Sequence, residues 1–161
     1  MSNRKIISKD IARSVAEACL CLHVQRAARA LARHFDDVFR PLDLTSGQYS
    51  LLMSLNRTDS TGGAPTMGDT ADFLAMDRTT LTAALKPLER RGLVRIAADA
   101  QDRRIKRLSL TPAGNAVLAK AYALWQEFHG AIEASMASPN AEAMRSGLIR
   151  MVQKLERGNA G

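Results

Sequence analysis

The chain has 161 residues and a formal net charge of +7, and it is 46% hydrophobic and 24% charged. This composition is typical of a chain with a hydrophobic core and excludes an intrinsically disordered protein, while the length predicts one domain or a small domain with an added oligomerisation element. The longest uncharged stretch, residues 44–56, is too short to cross a bilayer, and no long apolar run follows the first residues. We therefore expect a cytoplasmic protein with no signal peptide and no membrane partner.

Helical periodicity dominates the N-terminal part of the chain. Apolar residues recur at alternating steps of three and four and predict one long helix from about Asp10 to Arg40, which Pro41 ends. The stripe consists of Cys21, Val24, Ala28, Leu31, Phe35 and Val38. A polar face with several arginines opposes it.

Two capping patterns follow. Thr45 and Gln48 form the pattern of a capping box and predict the start of a second helix. Thr66 and Asp69 repeat this type of start after a loop rich in Thr, Ser and Gly at residues 56–65.

A short turn at residues 74–76 separates the third predicted helix from a fourth. Asp77 is positioned to cap the fourth helix, residues 78–91, and Gly92 to close it. Two short helices joined by a three-residue turn indicate a helix-turn-helix. Pro87 lies inside the fourth helix, where we expect a tolerated bend.

The periodicity then changes from helix to strand. Residues 94–97 and 105–110 alternate apolar and polar side chains around a charged tip, which predicts a β-hairpin. Thr111–Pro112 and Ser138–Pro139 each predict the start of a further helix. The fold class is thus mainly α with a small β-hairpin wing, divided into a helical segment 1–42, a winged helix-turn-helix module 43–111 and a helical segment 112–161.

The apolar stripes of the terminal helices need to be covered. They could cover one another within one chain, or interlock with a second copy. We expect a homodimer, because a winged module that reads DNA generally uses two half-sites related by a two-fold axis. The two terminal segments are then dimerisation elements.

The distribution of charge indicates the partner. Residues 77–111 contain nine basic and four acidic side chains, so they carry +5 of the total +7. This concentration is typical of a DNA footprint, with a merely solvated basic face as the alternative. Arg78 can pair with guanine, and Thr79, Thr80 and Thr82 can contact a base edge, a thymine methyl or a phosphate, although they could also be ordinary first-turn residues.

Several segments together resemble one known family. Residues 44–49 (LTSGQY), 77–94, 99–104 (DAQDRR) and 108–114 (LSLTPAG) are similar to the multiple antibiotic resistance regulator (MarR) family, over roughly residues 10–156. The resemblance implies a homodimeric DNA-binding regulator, usually a repressor, that small phenolic or lipophilic ligands or thiol oxidation release from a pseudo-palindromic operator.

The resemblance also implies roles for single residues. Arg104 matches the wing arginine that enters the minor groove, and Asp102 matches the acidic residue that orients it, in keeping with the negative potential of a narrow minor groove. Ligands of the family bind between the dimerisation helices and the DNA module, where Phe35, Tyr49 and Trp125 could line a pocket or serve only as core residues. The residues expected to contact or organise DNA are Arg78, Thr79, Thr80, Thr82, Lys86, Asp102, Arg103 and Arg104.

The two cysteines leave two alternatives open. Cys21 has the spacing of the reactive cysteine in the organic-hydroperoxide-sensing branch, but Gln25 and Phe35 replace the tyrosines of that branch. A small buried packing residue is therefore the favoured interpretation, with a redox role as the alternative. On one continuous helix Cys19 and Cys21 point about 200° apart and cannot form a disulfide without unwinding.

Other classes of function find little support. The chain has no second cysteine pair, no His-x₃-His spacing and no glycine-rich phosphate loop, so we expect no metal site, no cofactor and no catalytic activity. A helical protein-interaction scaffold that does not bind DNA is a further alternative, but it leaves the basic wing unexplained.

Overall fold

A computed structural model describes residues 7–58 and 62–158. It is a mainly helical fold with one two-stranded antiparallel hairpin, so the predicted winged helix-turn-helix is confirmed. The elements are α1 (Lys9–Ala18), α2 (Leu20–Phe39), a 3-10 turn (Arg40–Leu42), α3 (Ser46–Ser54), α4 (Met67–Phe73), α5 (Arg78–Arg90), β1 (Val94–Ala98), β2 (Lys106–Leu110), α6 (Pro112–Ala134) and α7 (Ala141–Gly158). Within the described ranges, no helix is long and apolar enough to cross a membrane.

The hydrophobic core lies in the winged module. Its leucines come from α3, α5 and the hairpin and are at most 1% exposed: Leu51, Leu52, Leu81, Leu85, Leu88 and Leu108. Phe39 at the end of α2 and Leu118 and Ala121 in α6 complete the same cluster. The core therefore holds the recognition elements on a scaffold formed by α2 and α6.

The predicted helix starts in the module are confirmed. Thr45 and Thr66 each form a complete capping box, with Gln48 and Asp69 as the reciprocal partners. The Asp77 side chain accepts the Thr80 N–H at 2.8 Å, and Gly92 adopts φ +67° just after α5. A left-handed residue at this position is the usual helix end and favours glycine.

The prediction of one helix from Asp10 to Arg40 was wrong. The helix is interrupted at Cys19, whose φ of −73° and ψ of 101° lie outside the helical region. The Cys19 Sγ accepts the Leu22 N–H at 3.4 Å and so serves as the N-cap of α2. The apolar periodicity could not reveal this break, because cysteine is not among the usual capping residues.

The predicted start of the last helix at Ser138–Pro139 was also wrong. Helix α7 begins at Ala141, and the Asn140 side chain accepts the Ala143 N–H at 2.8 Å. Asparagine is a strongly preferred capping residue, and here it caps the helix two residues after the predicted cap.

The outer helices α1 and α7 contain no buried residue among those described. Each carries a row of large apolar side chains that is between 45% and 65% exposed, with Ile11 and Val15 in α1 and Ile149, Val152 and Leu155 in α7. Rows of this kind on two helices form an apolar surface that is unusual for a monomer.

Candidate nucleic-acid interface

The recognition helix α5 separates its apolar and polar sides cleanly. Leu81, Leu85 and Leu88 point into the core and leave one side of the helix at the surface. That exposed side carries four predicted contact residues of the helix, which are Arg78, Thr79, Thr82 and Lys86. Thr80 is exposed as well. The structure thus brings the basic and hydroxyl side chains together on one accessible face.

Three threonines on this helix differ in their hydrogen bonds. The Thr80 hydroxyl donates to the Asp77 carboxylate at 2.6 Å, and the Thr82 hydroxyl donates to the Arg78 carbonyl at 2.7 Å. The Thr79 hydroxyl has no intramolecular partner within the described residues. Its donor therefore remains available to an external acceptor, whereas the other two are used in holding the first turn of α5.

The turn before α5 is tight, with a left-handed residue at Ala75 and a helix cap at Asp77. Ala75 adopts φ +51°, a left-handed conformation that is uncommon for a residue other than glycine. The Asp77 carboxylate that caps the helix has a lowered pKa because the Thr80 hydroxyl and amide hydrogen-bond to it. An ionised side chain at this position also favours the positive end of the helix dipole.

The wing is a five-pair ladder in which Ile96 lies opposite Leu108. At its tip, Arg104 Nη2 and Asp102 Oδ2 are 2.9 Å apart, and Arg104 Nε donates to the same carboxylate at 3.0 Å. The Arg104 side chain is 91% exposed despite this pairing. The pair that the sequence predicted is therefore formed and holds an exposed guanidinium at the hairpin tip, next to the exposed Arg103.

A second ion pair, which sequence reasoning missed, organises the loop end of the hairpin. The Asp99 carboxylate accepts the Arg107 Nε–H and also the backbone N–H groups of Gln101 and Asp102, at 2.8 and 2.9 Å. The hydrogen bond from Arg107 is the main cause that lowers the pKa of Asp99 to about 2. The eight-residue separation across a turn gave no periodic signal that could have revealed this pair.

Arg107 also ties the wing to the helix-turn-helix. Its Nη1 donates to the Ala64 carbonyl at 2.6 Å, and the Leu108 N–H donates to the Pro65 carbonyl at 2.9 Å. These bonds pin the hairpin to the segment just before α4. These contacts fix the hairpin against the start of α4, the first helix of the helix-turn-helix.

An aromatic cavity of about 370 Å³ lies between α2, α3, α6 and α7. The three predicted pocket residues, Phe35, Tyr49 and Trp125, all line it. They also pack in the hydrophobic cluster or against it. The His129 ring stacks on Trp125 with centroids 4.4 Å apart, and burial is the main cause that raises the pKa of Tyr49 to about 12.

Polar side chains close one side of this cavity. Arg145 of α7 forms an ion pair with Glu133 of α6, and this contact is the main cause that lowers the pKa of Glu133. His129 Nε2 lies 3.1 Å from the same carboxylate. The cavity therefore combines aromatic walls with a paired cation.

The two cysteines do not lie on one continuous helix, contrary to the prediction. Cys19 is half-buried at the break before α2, and Cys21 is exposed in its first turn. The favoured interpretation of Cys21 as a buried packing residue is therefore wrong within the described chain. The Gln25 side-chain amide donates to the Cys21 Sγ at 3.2 Å. No group of three or more metal-ligating side chains is present within the described residues.

Comparison with known proteins places this geometry among regulators. A model described as the MarR family matches residues 42–105. The HTH-type transcriptional regulator YybA of Bacillus subtilis is 34% identical over 90 residues, which cover 56% of this chain and 57% of YybA. The transcriptional activatory protein BadR of Rhodopseudomonas palustris is 34% identical over 74 residues, 46% of this chain and 42% of BadR. The chain thus spans about half the length of these two curated relatives.

A solved structure extends the similarity over almost the whole fold. The transcriptional regulator MosR of M. tuberculosis, in complex with DNA, is 36% identical, and the match covers 86% of this chain and 97% of MosR with a TM-score of 0.75.

Proposed function

The chain belongs to the MarR family of DNA-binding transcriptional regulators, and on that premise we propose that it is a homodimeric repressor released from DNA by a small aromatic ligand. The aromatic cavity carries this proposal. Its walls come from both the scaffold helices and the winged module, so an occupant contacts the two parts at once.

The proposed DNA surface consists of the exposed side of α5 and the wing tip. Arg78, Thr79 and Lys86 contact the DNA from the exposed side of α5, and Arg104 enters the minor groove with Asp102 holding its orientation. In a two-fold dimer, two such surfaces bind half-sites about one helical turn, roughly 10 bp, apart.

The proposed dimer interface consists of α1 and α7. Their exposed apolar rows supply the surface that a second copy covers. Light scattering at low micromolar concentration should give about twice the mass of the 17.5 kDa chain. The variant Ile149→Glu should shift this population toward monomer, because a buried unpaired charge is costly. A wild-type monomer at that concentration contradicts the dimer.

The proposed ligand is a small phenolic or lipophilic molecule. Phe35 of α2, Tyr49 of α3 and Trp125 of α6 supply aromatic surface on three sides, and the Arg145 guanidinium supplies a charge near the edge. Tyr49 follows the capping box of α3, an element whose Leu51 and Leu52 belong to the module core. A ligand that moves α3 relative to α6 therefore changes the placement of the recognition surface.

The experiment uses the single tryptophan of the chain, Trp125. Phenols and benzoates are titrated against the protein while intrinsic fluorescence is recorded, and the affinity for operator DNA is measured by anisotropy at the same concentrations. DNA fragments that co-purify with the protein provide the operator. We expect compounds that change the Trp125 emission to weaken DNA binding in parallel.

Several outcomes contradict this mechanism. A compound that weakens DNA binding without changing the Trp125 emission acts elsewhere, and compounds that change the emission without affecting DNA binding show an uncoupled cavity. Transcription in vitro from a promoter that overlaps the operator tests repression directly. A rise in transcript on adding the protein identifies an activator, the activity that the name of BadR describes for that relative.

A second candidate is oxidant sensing through Cys21. The thiol is exposed, and the Gln25 amide donates to its sulfur, which supports a role beyond packing. Hydrogen peroxide or an organic hydroperoxide should then weaken DNA binding of the wild type but not of Cys21→Ser. Equal responses of the two proteins contradict this alternative.

A further inference from the structure

A basic cleft of about 390 Å³ lies between the start of α4, the start of α5 and the wing. Three cationic side chains line it: Arg78 from α5, and Arg104 and Lys106 from the hairpin. No carboxylate is among its lining residues in the described chain. Lys106 is exposed and was not among the residues that the sequence assigned to DNA contact.

The arginine at the start of α5 folds toward α4 and into this cleft. Its Nη2 lies 3.7 Å from the position that a Cβ on Gly68 would occupy. The short side chain at position 68 thus leaves room for the Arg78 guanidinium beside the first turn of α4. This orientation points the guanidinium at the gap between α4 and the wing.

The charges in the cleft are poorly neutralised. Arg104 is paired with Asp102, whereas the Arg78 guanidinium and the Lys106 ammonium have no ion pair or hydrogen bond within the described residues. The nearest acidic side chain on α4, Asp69, is engaged in the capping box, where it accepts both the N–H and the hydroxyl of Thr66. Two free cations facing one cleft favour an anionic occupant.

The geometry of DNA indicates which anion occupies the cleft. A recognition helix in the major groove and a wing in the neighbouring minor groove lie on either side of one sugar–phosphate backbone. The first helix of a helix-turn-helix crosses the backbone at the same place. A cleft bounded by all three elements therefore faces phosphodiester groups and not base edges.

We propose that this cleft binds a backbone phosphate of the DNA and that Arg78 and Lys106 hold that phosphate. The proposal rests on the DNA binding of the proposed function and deepens it, since it assigns Arg78 to positioning on the backbone. Sequence discrimination then falls to other exposed donors of α5, among them Thr79 and Lys86. A phosphate held between α5 and the wing also fixes the depth to which each element enters its groove.

The test compares Arg78→Ala, Lys106→Ala and the double variant on operator DNA and on a scrambled duplex. Each single variant should bind both duplexes about tenfold more weakly, because a charge-assisted contact that carries no sequence information is lost. The double variant should lose less than the product of the single effects, since both cations hold one phosphate. For the double variant, the magnitude of the slope of log affinity against log salt should decrease by about one.

The conservative variant Arg78→Lys separates the two roles of this residue. A phosphate accepts an ammonium as a point charge, so this variant should keep most of the wild-type affinity. A guanine that is read by two parallel hydrogen bonds loses them with lysine. Lys120→Ala, an exposed cation on α6 outside the module, is the matched control and should change neither affinity nor salt slope. Thermal unfolding of every variant checks that the fold is kept.

The outcomes are distinguishable. If Arg78→Ala weakens only operator binding and narrows the gap to the scrambled duplex, Arg78 reads bases and the proposal is overturned. It is also overturned if Lys106→Ala behaves like Lys120→Ala. A wild type that binds neither duplex contradicts the proposed function itself, and the cleft with it.

Discussion

The winged module and the outer helices use the same kind of side chain in opposite ways. Leu81 and Leu88 in α5 are fully buried, whereas Leu155 in α7 is 61% exposed and Val15 in α1 is 58% exposed. The module buries its apolar side chains within one chain. The outer helices are also amphipathic, but their apolar rows stay uncovered within the described chain.

Helix α6 joins the two regions. Its first half packs into the module through Leu118 and Ala121, and its second half lines the aromatic cavity with Trp125 and His129. The helix begins against the turn after α5, where the Thr111 N–H donates to the Leu93 carbonyl at 3.1 Å. Helix α6 therefore contacts both the module core and the cavity that α7 also lines.

The largest effect is expected from a cavity in the module core. Leu85→Ala removes a side chain that is 1% exposed and should lower the free energy of unfolding by about 2–5 kcal/mol. The matched variant Leu155→Ala in α7 should cost less than about 1 kcal/mol in a monomer. Urea unfolding at two protein concentrations measures both.

The dependence of the Leu155→Ala cost on protein concentration tests whether a second copy covers α7. If a second copy covers α7, the cost of Leu155→Ala rises with protein concentration, because the association stabilises the folded state. Equal costs for the two leucines at every concentration would mean that the outer helices have a core of their own, contrary to the structure.

The next effect concerns the junction between the two regions. A Cβ on Gly114 would lie 2.0 Å from the Leu93 carbonyl oxygen, so backbone must move to accommodate it. Gly114→Ala should therefore destabilise the protein by about 1–3 kcal/mol. Gly130→Ala in the same helix meets no atom within 4 Å and should stabilise it by up to about 1 kcal/mol. If the two variants change the stability in opposite directions, the steric constraint lies where Gly114 contacts the Leu93 carbonyl. A stabilising effect of Gly114→Ala would contradict this constraint.

Sequence reasoning succeeded where a local rule sets the structure. The capping boxes at Thr45 and Thr66, the cap at Asp77 and the glycine after α5 each depend on residues within a few positions of one another. The hairpin and its Asp102–Arg104 pair follow from alternation and a two-residue spacing. These features account for most of the fold and for the wing tip of the candidate interface.

Sequence reasoning failed where several residues compete for one structural role, or where the structure depends on contacts between distant parts of the chain. The break at Cys19 and the start of α7 after Asn140 each depend on which of several neighbouring residues caps the helix. Apolar periodicity does not distinguish between such neighbours. The sequence did not indicate that Lys106 and Arg78 line one cleft, because only the folded wing brings the two side chains to the same place. The Asp99–Arg107 pair was missed because the two residues lie eight positions apart across the hairpin loop, a spacing that no periodic pattern indicates.

The smallest effect is expected at the hairpin loop, where polar contacts hold Asp99. The Asp99 pKa is about 2, mainly because of Arg107, against about 3.9 in an unfolded chain. The unfolded state therefore binds more protons between these values, and the stabilisation by ionised Asp99 is complete above about pH 4 and is lost as the pH falls toward 2. Asp99→Asn lacks this contribution at every pH, so its free energy of unfolding should lie below that of the wild type at pH 5 and approach it near pH 2. Urea unfolding across this range measures the gap. A gap of constant size from pH 5 to pH 2 would mean that the neutral hydrogen bonds of this side chain, and not the interaction of its charge with Arg107, hold the hairpin loop.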